Sequence, residues 1–209
     1  MTQSSEPRDV RVCVFGDSFV AGVGDPKALG WVGRVAAKTP PSTGLALTVY
    51  PLGVRGQTTE DIVVRIPLES APRFARGDDH GVVLAVPANA SAMPARSIAT
   101  AEFGLRSLAG RRLVVGPPPL GPVDVRAKIA ELDEALATMC RGLDLPYIST
   151  YRALIGRRAW FEQDFADGVH PGQAGYGMLA QAVLNGGWYE WLGVTAPASP
   201  AKRRGNLRA

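Results

Sequence analysis

At 209 residues, 46% of them apolar, the chain is long enough to bury one core and short for two independent ones. Its formal charge is +4, yet Lys202, Arg203, Arg204 and Arg208 near the C-terminal end equal that whole excess. The body is therefore close to neutral and has no basic stripe with interleaved aromatics, which argues against a nucleic-acid partner.

The first strand is expected over Val10 to Phe15, an almost continuous apolar run that suits a central parallel strand buried on both faces. It ends abruptly at Gly16-Asp17-Ser18, and a Gly-rich stretch from Ala21 to Gly30 leads into a helix around Trp31 to Lys38. A second strand, Leu45 to Leu52, follows the Pro40-Pro41-Ser42-Thr43-Gly44 break, and Gly53 stands at its carboxyl end. Thr58 or Thr59 can cap the next helix, whose first turn carries Glu60 and Asp61; Pro67 is expected to interrupt or kink it. The third strand, Gly81 to Val86, runs into Pro87-Ala88-Asn89-Ala90, and a helix spans Ser97 to Ala109.

A fourth strand, Arg112 to Val115, is closed by the stiff Gly116-Pro117-Pro118-Pro119 loop. A long helix then runs from Val123 to Arg141, with Ile129, Leu132, Leu136 and Met139 at core spacing. Tyr147 to Ser149 forms a short fifth strand. An irregular segment with Trp160, Phe161 and Phe165 precedes Asp167-Gly168-Val169-His170, and the last helix is expected from Gln173 to Asn185, extending toward Trp191. The alternation of strands and helices predicts an α/β protein, a three-layer α/β/α sandwich on a flavodoxin-like parallel sheet of about five strands, with its cleft at the strand carboxyl ends. One domain is expected over 10–194, between a disordered N-terminus at 1–9 and a disordered basic tail at 195–209. Met1 to Asp9 lacks an apolar signal core, and no run approaches the roughly 18 apolar residues of a membrane span, so a cytoplasmic protein is expected. Cys13 and Cys140 lack metal-ligand spacing and read as buried thiols.

Two histidines make the search for a general base short. His80 stands at the amino end of the third strand, away from the expected cleft. His170 opens a helix with Asp167 three residues earlier, a spacing that lets the carboxylate orient the imidazole and fix its tautomer. Ser18, at the carboxyl end of a buried strand, is the candidate nucleophile, because a hydroxyl activated by an imidazole base can attack a carbonyl. Its own N–H, where the chain turns toward a helix, is positioned to help hold an oxyanion. A serine after a strand also commonly caps a helix, so Ser18 alone does not decide between the two roles. Asp17 is expected to bond neighbouring backbone and hold the turn. Gly22-Val23-Gly24 lacks the third glycine of a dinucleotide fingerprint, no Walker lysine motif occurs, and no catalytic zinc set is apparent. The aromatic residues Trp160, Phe161 and Phe165 suit either an acyl pocket or the core, and Arg55 either an anionic substrate or a solvated surface.

Taken in order, these blocks resemble the GDSL-type, or SGNH, family of esterases and lipases. Gly16-Asp17-Ser18-Phe19 matches its first block with Phe in place of Leu, Gly53 its second-block glycine, and Asp167-Gly168-Val169-His170 its last; the Gly116-Pro117-Pro118-Pro119 loop is also similar to many members. The resemblance runs from about residue 10 to 185. It implies a serine esterase that cleaves carboxylic esters of small molecules through an acyl-enzyme on Ser18, with Asp167 and His170 completing the triad and no metal or organic cofactor. By the same resemblance Ser18, Gly53 and Asn89 form the oxyanion hole. The third block departs from Gly-x-Asn-Asp, reading Pro87-Ala88-Asn89-Ala90, which leaves an acyltransferase or a non-catalytic ligand-binding member as the alternative on this scaffold.

Overall fold

The computed structural model describes residues 6–165 and 167–197. Residues 1–5 and 198–209, which make up most of the two expected tails, lie outside the described residues. Five strands, β1 (Arg8–Gly16), β2 (Leu45–Gly53), β3 (Asp79–Ala85), β4 (Arg111–Val115) and β5 (Tyr147–Ile148), form one sheet in the order β2-β1-β3-β4-β5, and every pairing is parallel. This is the flavodoxin-like order expected from the sequence.

The strands act as the middle layer because their residues alternate between two cores. Val10, Val12 and Val14 of β1 enter one apolar cluster, while Cys13 and Phe15 enter the other; Val83 of β3 and Leu113 of β4 join the first, and Val82, Leu84 and Val114 the second. On the first face lie α1 (Ser18–Ala21), α2 (Gly30–Ala37), α6 (Thr150–Leu154), α7 (Arg158–Phe161), α8 (Gln173–Val183) and α9 (Tyr189–Leu192). On the second face lie α3 (Thr59–Phe74), α4 (Pro94–Arg106) and α5 (Val123–Gly142). Among the described residues no helix is long and apolar enough to cross a membrane. Both cysteines are buried and free, and burial pushes each thiol up to about 12.

Several boundaries differ from the sequence expectations for physical reasons. β1 begins at Arg8, taking in two residues assigned to the N-terminal tail, because Arg8 and Asp9 pair with Leu45 and Ala46 and the Arg8 guanidinium reaches the Leu192 carbonyl. Pro67 does not interrupt α3: the helix continues through Pro67 and Pro72 to Phe74. Its Thr58–Asp61 capping box and the burial of Ile62, Val63 and Ile66 hold it against the sheet, which outweighs the lost backbone donors. The helix expected from Ser97 starts at Pro94, where a missing N–H costs nothing. Beyond Val183 the last helix passes through a π-type turn, Leu184–Trp188, with Gly187 at φ +119°, before α9.

One buried ion pair shapes the connection between α1 and α2. The side chain of Asp25 is fully buried; one oxygen accepts from the Lys27 N–H, the other from the Leu29 and Gly30 N–H groups, and Arg34 on α2 donates to both. Arg34, assisted by these amides, holds the Asp25 carboxyl well below the usual carboxylate range. A depressed carboxylate contributes stability above its unfolded value, near pH 4, and loses it as pH falls toward its folded value. Asp25→Ala is expected to destabilise the protein by about 3 kcal/mol at neutral pH, with the difference from wild type shrinking in acid. Urea unfolding of both proteins across pH 3–7 measures it, and equal midpoints at neutral pH would show that the pair contributes nothing.

Candidate active site

The carboxyl end of β1 delivers a single-turn helix to the carboxyl end of the sheet. Asp17 caps α1, its Oδ1 accepting from the Phe19 N–H at 2.9 Å, and the Asp17 carbonyl accepts from the Ala21 N–H. The expected turn-holding role of Asp17 is thus its observed contact. Burial raises the Asp17 carboxyl above its ordinary value, against the opposing pull of the Phe19 amide and of His170. The turn fits only because its neighbours are glycines. Gly16 pairs in register with Gly53, and a Cβ on Gly53 would collide with the Ala21 nitrogen and the Asp17 carbonyl.

Ser18 opens this turn and is buried apart from a sliver of surface. Its hydroxyl lies 2.7 Å from His170 Nε2, across 152 positions of sequence. His170 Nδ1 lies 2.6 Å from Asp167 Oδ2, while Asp167 Oδ1 accepts the backbone N–H groups of His170, at 2.8 Å, and Val169. This carboxylate therefore binds the loop and the ring together. Those contacts, the His170 amide first, hold the Asp167 carboxyl well below its usual range although its side chain is half exposed. The network fits the tautomer in which Nδ1–H donates to Asp167 and Nε2 is free to accept from the Ser18 hydroxyl.

The loop bearing His170 is pinned from three sides. Phe165 bridges Pro171 in antiparallel fashion, the Gly172 N–H donates to the Asp164 carbonyl, and Gly168 adopts φ +77°. Gly24 packs on the far side: a Cβ there would stand 3.1 Å from His170 Cβ, at a backbone φ of +88° that already favours glycine. The Tyr176 hydroxyl donates to the Val23 carbonyl, and the Phe19 ring tilts against His170 at 5.5 Å between centroids. Asp25, Gly24 and Tyr176 went unnoticed as site supports in the sequence, and only the crowding of glycines between Ala21 and Gly30 signalled a close approach.

His80 lies elsewhere, at the amino end of β3, stacked on Phe74 with Nε2 on the Arg76 carbonyl. Asn89 sits in the 3-10 turn Ala88–Ala92 that follows β3, exposed, with its side-chain amide donating to the Gln57 carbonyl at 3.2 Å. Arg55 is exposed in the loop after β2. The aromatic segment divides. Trp160 is fully buried and donates to the Pro119 carbonyl, whereas Phe161 and Phe165 line a groove of about 790 Å³ that also touches Asn89, Gly168 and Val169.

Solved structures share this architecture. A member of the lipolytic protein G-D-S-L family from Veillonella parvula superposes with a TM-score of 0.70 at 19% identity, covering 85% of this chain and 97% of that one. A catalytic mutant of Axe2, an acetylxylan esterase from Geobacillus stearothermophilus, gives 0.67 at 16% identity over 91% and 98% of the two chains. The lipase Lip_vut3 from a goat rumen metagenome gives 0.66 at 16% identity over 86% and 97%. No curated protein sequence matches the chain. At these identities the neighbours establish the fold, and it is the sequence profile, matching residues 14–178, that places the chain in the GDSL-like Lipase/Acylhydrolase family.

Proposed function

We propose that the protein is a serine hydrolase of carboxylic esters that works through an acyl-enzyme on Ser18. The observation that carries this reading is the continuous Ser18–His170–Asp167 hydrogen-bonded chain at the carboxyl ends of the strands. Such a chain lets the imidazole take the hydroxyl proton as the oxygen attacks, then return it to the departing alcohol. Asp167, already ionised and bonded to Nδ1–H, stabilises the imidazolium that forms. A water deprotonated by His170 then attacks the acyl-enzyme, the proton passes to Ser18, and the acid is released.

Charge on the carbonyl oxygen needs donors fixed before the reaction. The Ser18 N–H at the start of α1, the Gly53 N–H beside that turn and the side-chain amide of Asn89 are the proposed set. Asn89 has two N–H groups, and the bond to the Gln57 carbonyl uses one of them. That bond steadies the side chain and leaves the second N–H for the substrate. The apolar groove bordered by Val169 and Phe161 supports a small ester with an organic acyl or alcohol portion.

With p-nitrophenyl butyrate as substrate, Ser18→Ala and His170→Ala are each expected to lower kcat by about 10⁴-fold or more, while His80→Ala leaves it unchanged. A Ser18→Ala protein with full activity removes the assignment. Asn89→Ala is expected to cost roughly 10²-fold in kcat with little change in KM, read from initial rates; loss in KM alone would assign Asn89 to substrate binding instead. The depressed Asp167 carboxyl stays ionised well below neutrality, so Asp167 should add no protonation step of its own to kcat/KM as the pH falls from 8 toward 4. A pH profile from 4 to 8 with a limiting slope of one checks this, and a slope of two would mean that a carboxylate also titrates there.

A further inference from the structure

The groove lined by Asn89, Gly168 and Val169, the last next to His170 in the chain, carries charge of a single sign. Its walls are mostly apolar, including Leu120, Ile129, Phe161 and Val169, and among the described residues the ionisable side chains lining it are Arg126 and Lys128 of α5. Among the described residues neither forms an ion pair. Of the acids nearby, Glu131 and Glu134 line a separate groove against α4, Glu162 pairs with Arg158, Asp167 is engaged with His170, and Asp124, in the first turn of α5, is exposed outside the groove's lining. From this charge pattern we infer that the substrate is an anionic ester, one carrying a carboxylate or similar acid group within reach of Arg126 and Lys128. The inference rests on the esterase reading and refines it.

Arg126 is set for that task. Its Nη1 donates to the Gly121 carbonyl at 2.6 Å, and its guanidinium lies over the Phe161 ring, 5.1 Å from the centroid. A guanidinium already fixed by an aromatic face and a carbonyl surrenders little rotamer freedom on binding, and its unused N–H groups form the fork that suits a planar carboxylate. A neutral substrate would engage the apolar walls but leave the exposed Lys128 and part-exposed Arg126 to solvent. An anion whose apolar body follows Ile129 and Phe161 meets both chemistries at once.

Two substrate pairs test this and show which side of the ester carries the charge. p-Nitrophenyl hydrogen glutarate against p-nitrophenyl valerate places the anion on the acyl side; 4-acetoxybenzoate against p-tolyl acetate places it on the alcohol side. The quantity read is the ratio of kcat/KM, anionic over neutral, for wild type and for the Arg126→Gln/Lys128→Gln double variant. In at least one pair this ratio is expected to fall roughly fivefold in the variant, the size of a part-exposed ion pair. Added salt should lower the same ratio in the wild-type protein, a measurement that needs no variant to fold. Ratios unchanged by both the variant and salt in both pairs overturn the inference while leaving the esterase reading intact. A wild-type protein that turns over none of the four esters removes both.

Discussion

The site depends on a close backbone approach between the ends of two strands. Gly16 and Gly53 stand opposite each other in the β1–β2 register, and the turn of α1 lies directly on Gly53. With no side chain between them, the Ser18 turn is pressed onto the carboxyl end of the sheet, its backbone near Gly53 and its hydroxyl facing the loop that bears His170. Backbone contact of this kind has little slack, since protein interiors do not yield by more than fractions of an ångström without strain. Ser18 is thus placed by main chain rather than by flexible side chains, which is what its proposed role, with reactants near 3 Å, demands.

His170 is held just as firmly from the opposite side. Asp25 and Arg34 fix the loop from Gly22 to Gly30, Gly24 of that loop lies against His170, and the Tyr176 hydroxyl ties Val23 to α8. Asp167 completes the support by gripping both the backbone and the ring of His170. Ser18 and His170 are therefore two rigid pieces pushed together, and the hydrogen bond between them needs little rearrangement to form.

Much of this was legible in the residues. The buried run of β1, the abrupt Gly16-Asp17-Ser18 and the spacing of Asp167 and His170 are local patterns, so periodicity and motif order sufficed to read them. What escaped was set by tertiary contact. Nothing near Asp25 in sequence announces Arg34 as its partner. Asp133, among the core positions of α5, is buried with its charge met: the hydroxyls of Tyr147 in β5 and of Ser149, which caps α6, donate to it, and Arg152 of α6 pairs with it. Pro67 was expected to interrupt or kink α3, yet the helix runs on through it, because a proline's local cost is outweighed by the apolar face that α3 buries. Trp160 and Phe161 are adjacent and similar in character, and only the position of the Pro119 carbonyl decides which is core and which is groove wall.

The third block, where the sequence leaves its family's pattern, has a packing logic of its own. Pro87 takes an extended φ of −73°, and its carbonyl accepts the Ala90 N–H, so the proline starts the 3-10 turn instead of disrupting it. Ala90 is buried in the cluster with Phe15, Ile62 and Val86, a place where an unpaired carboxylate would carry a large desolvation cost. The two changes therefore belong together: the turn is closed by Pro87 and anchored by an apolar Ala90. Between them Asn89 is projected to the groove, steadied by the Gln57 carbonyl of the loop that follows Gly53. An amide anchored to that loop keeps the proposed oxyanion donors of β2 and β3 in a common frame. In this protein packing and a side-chain bond thus take over an organising role that the sequence pattern alone left unassigned.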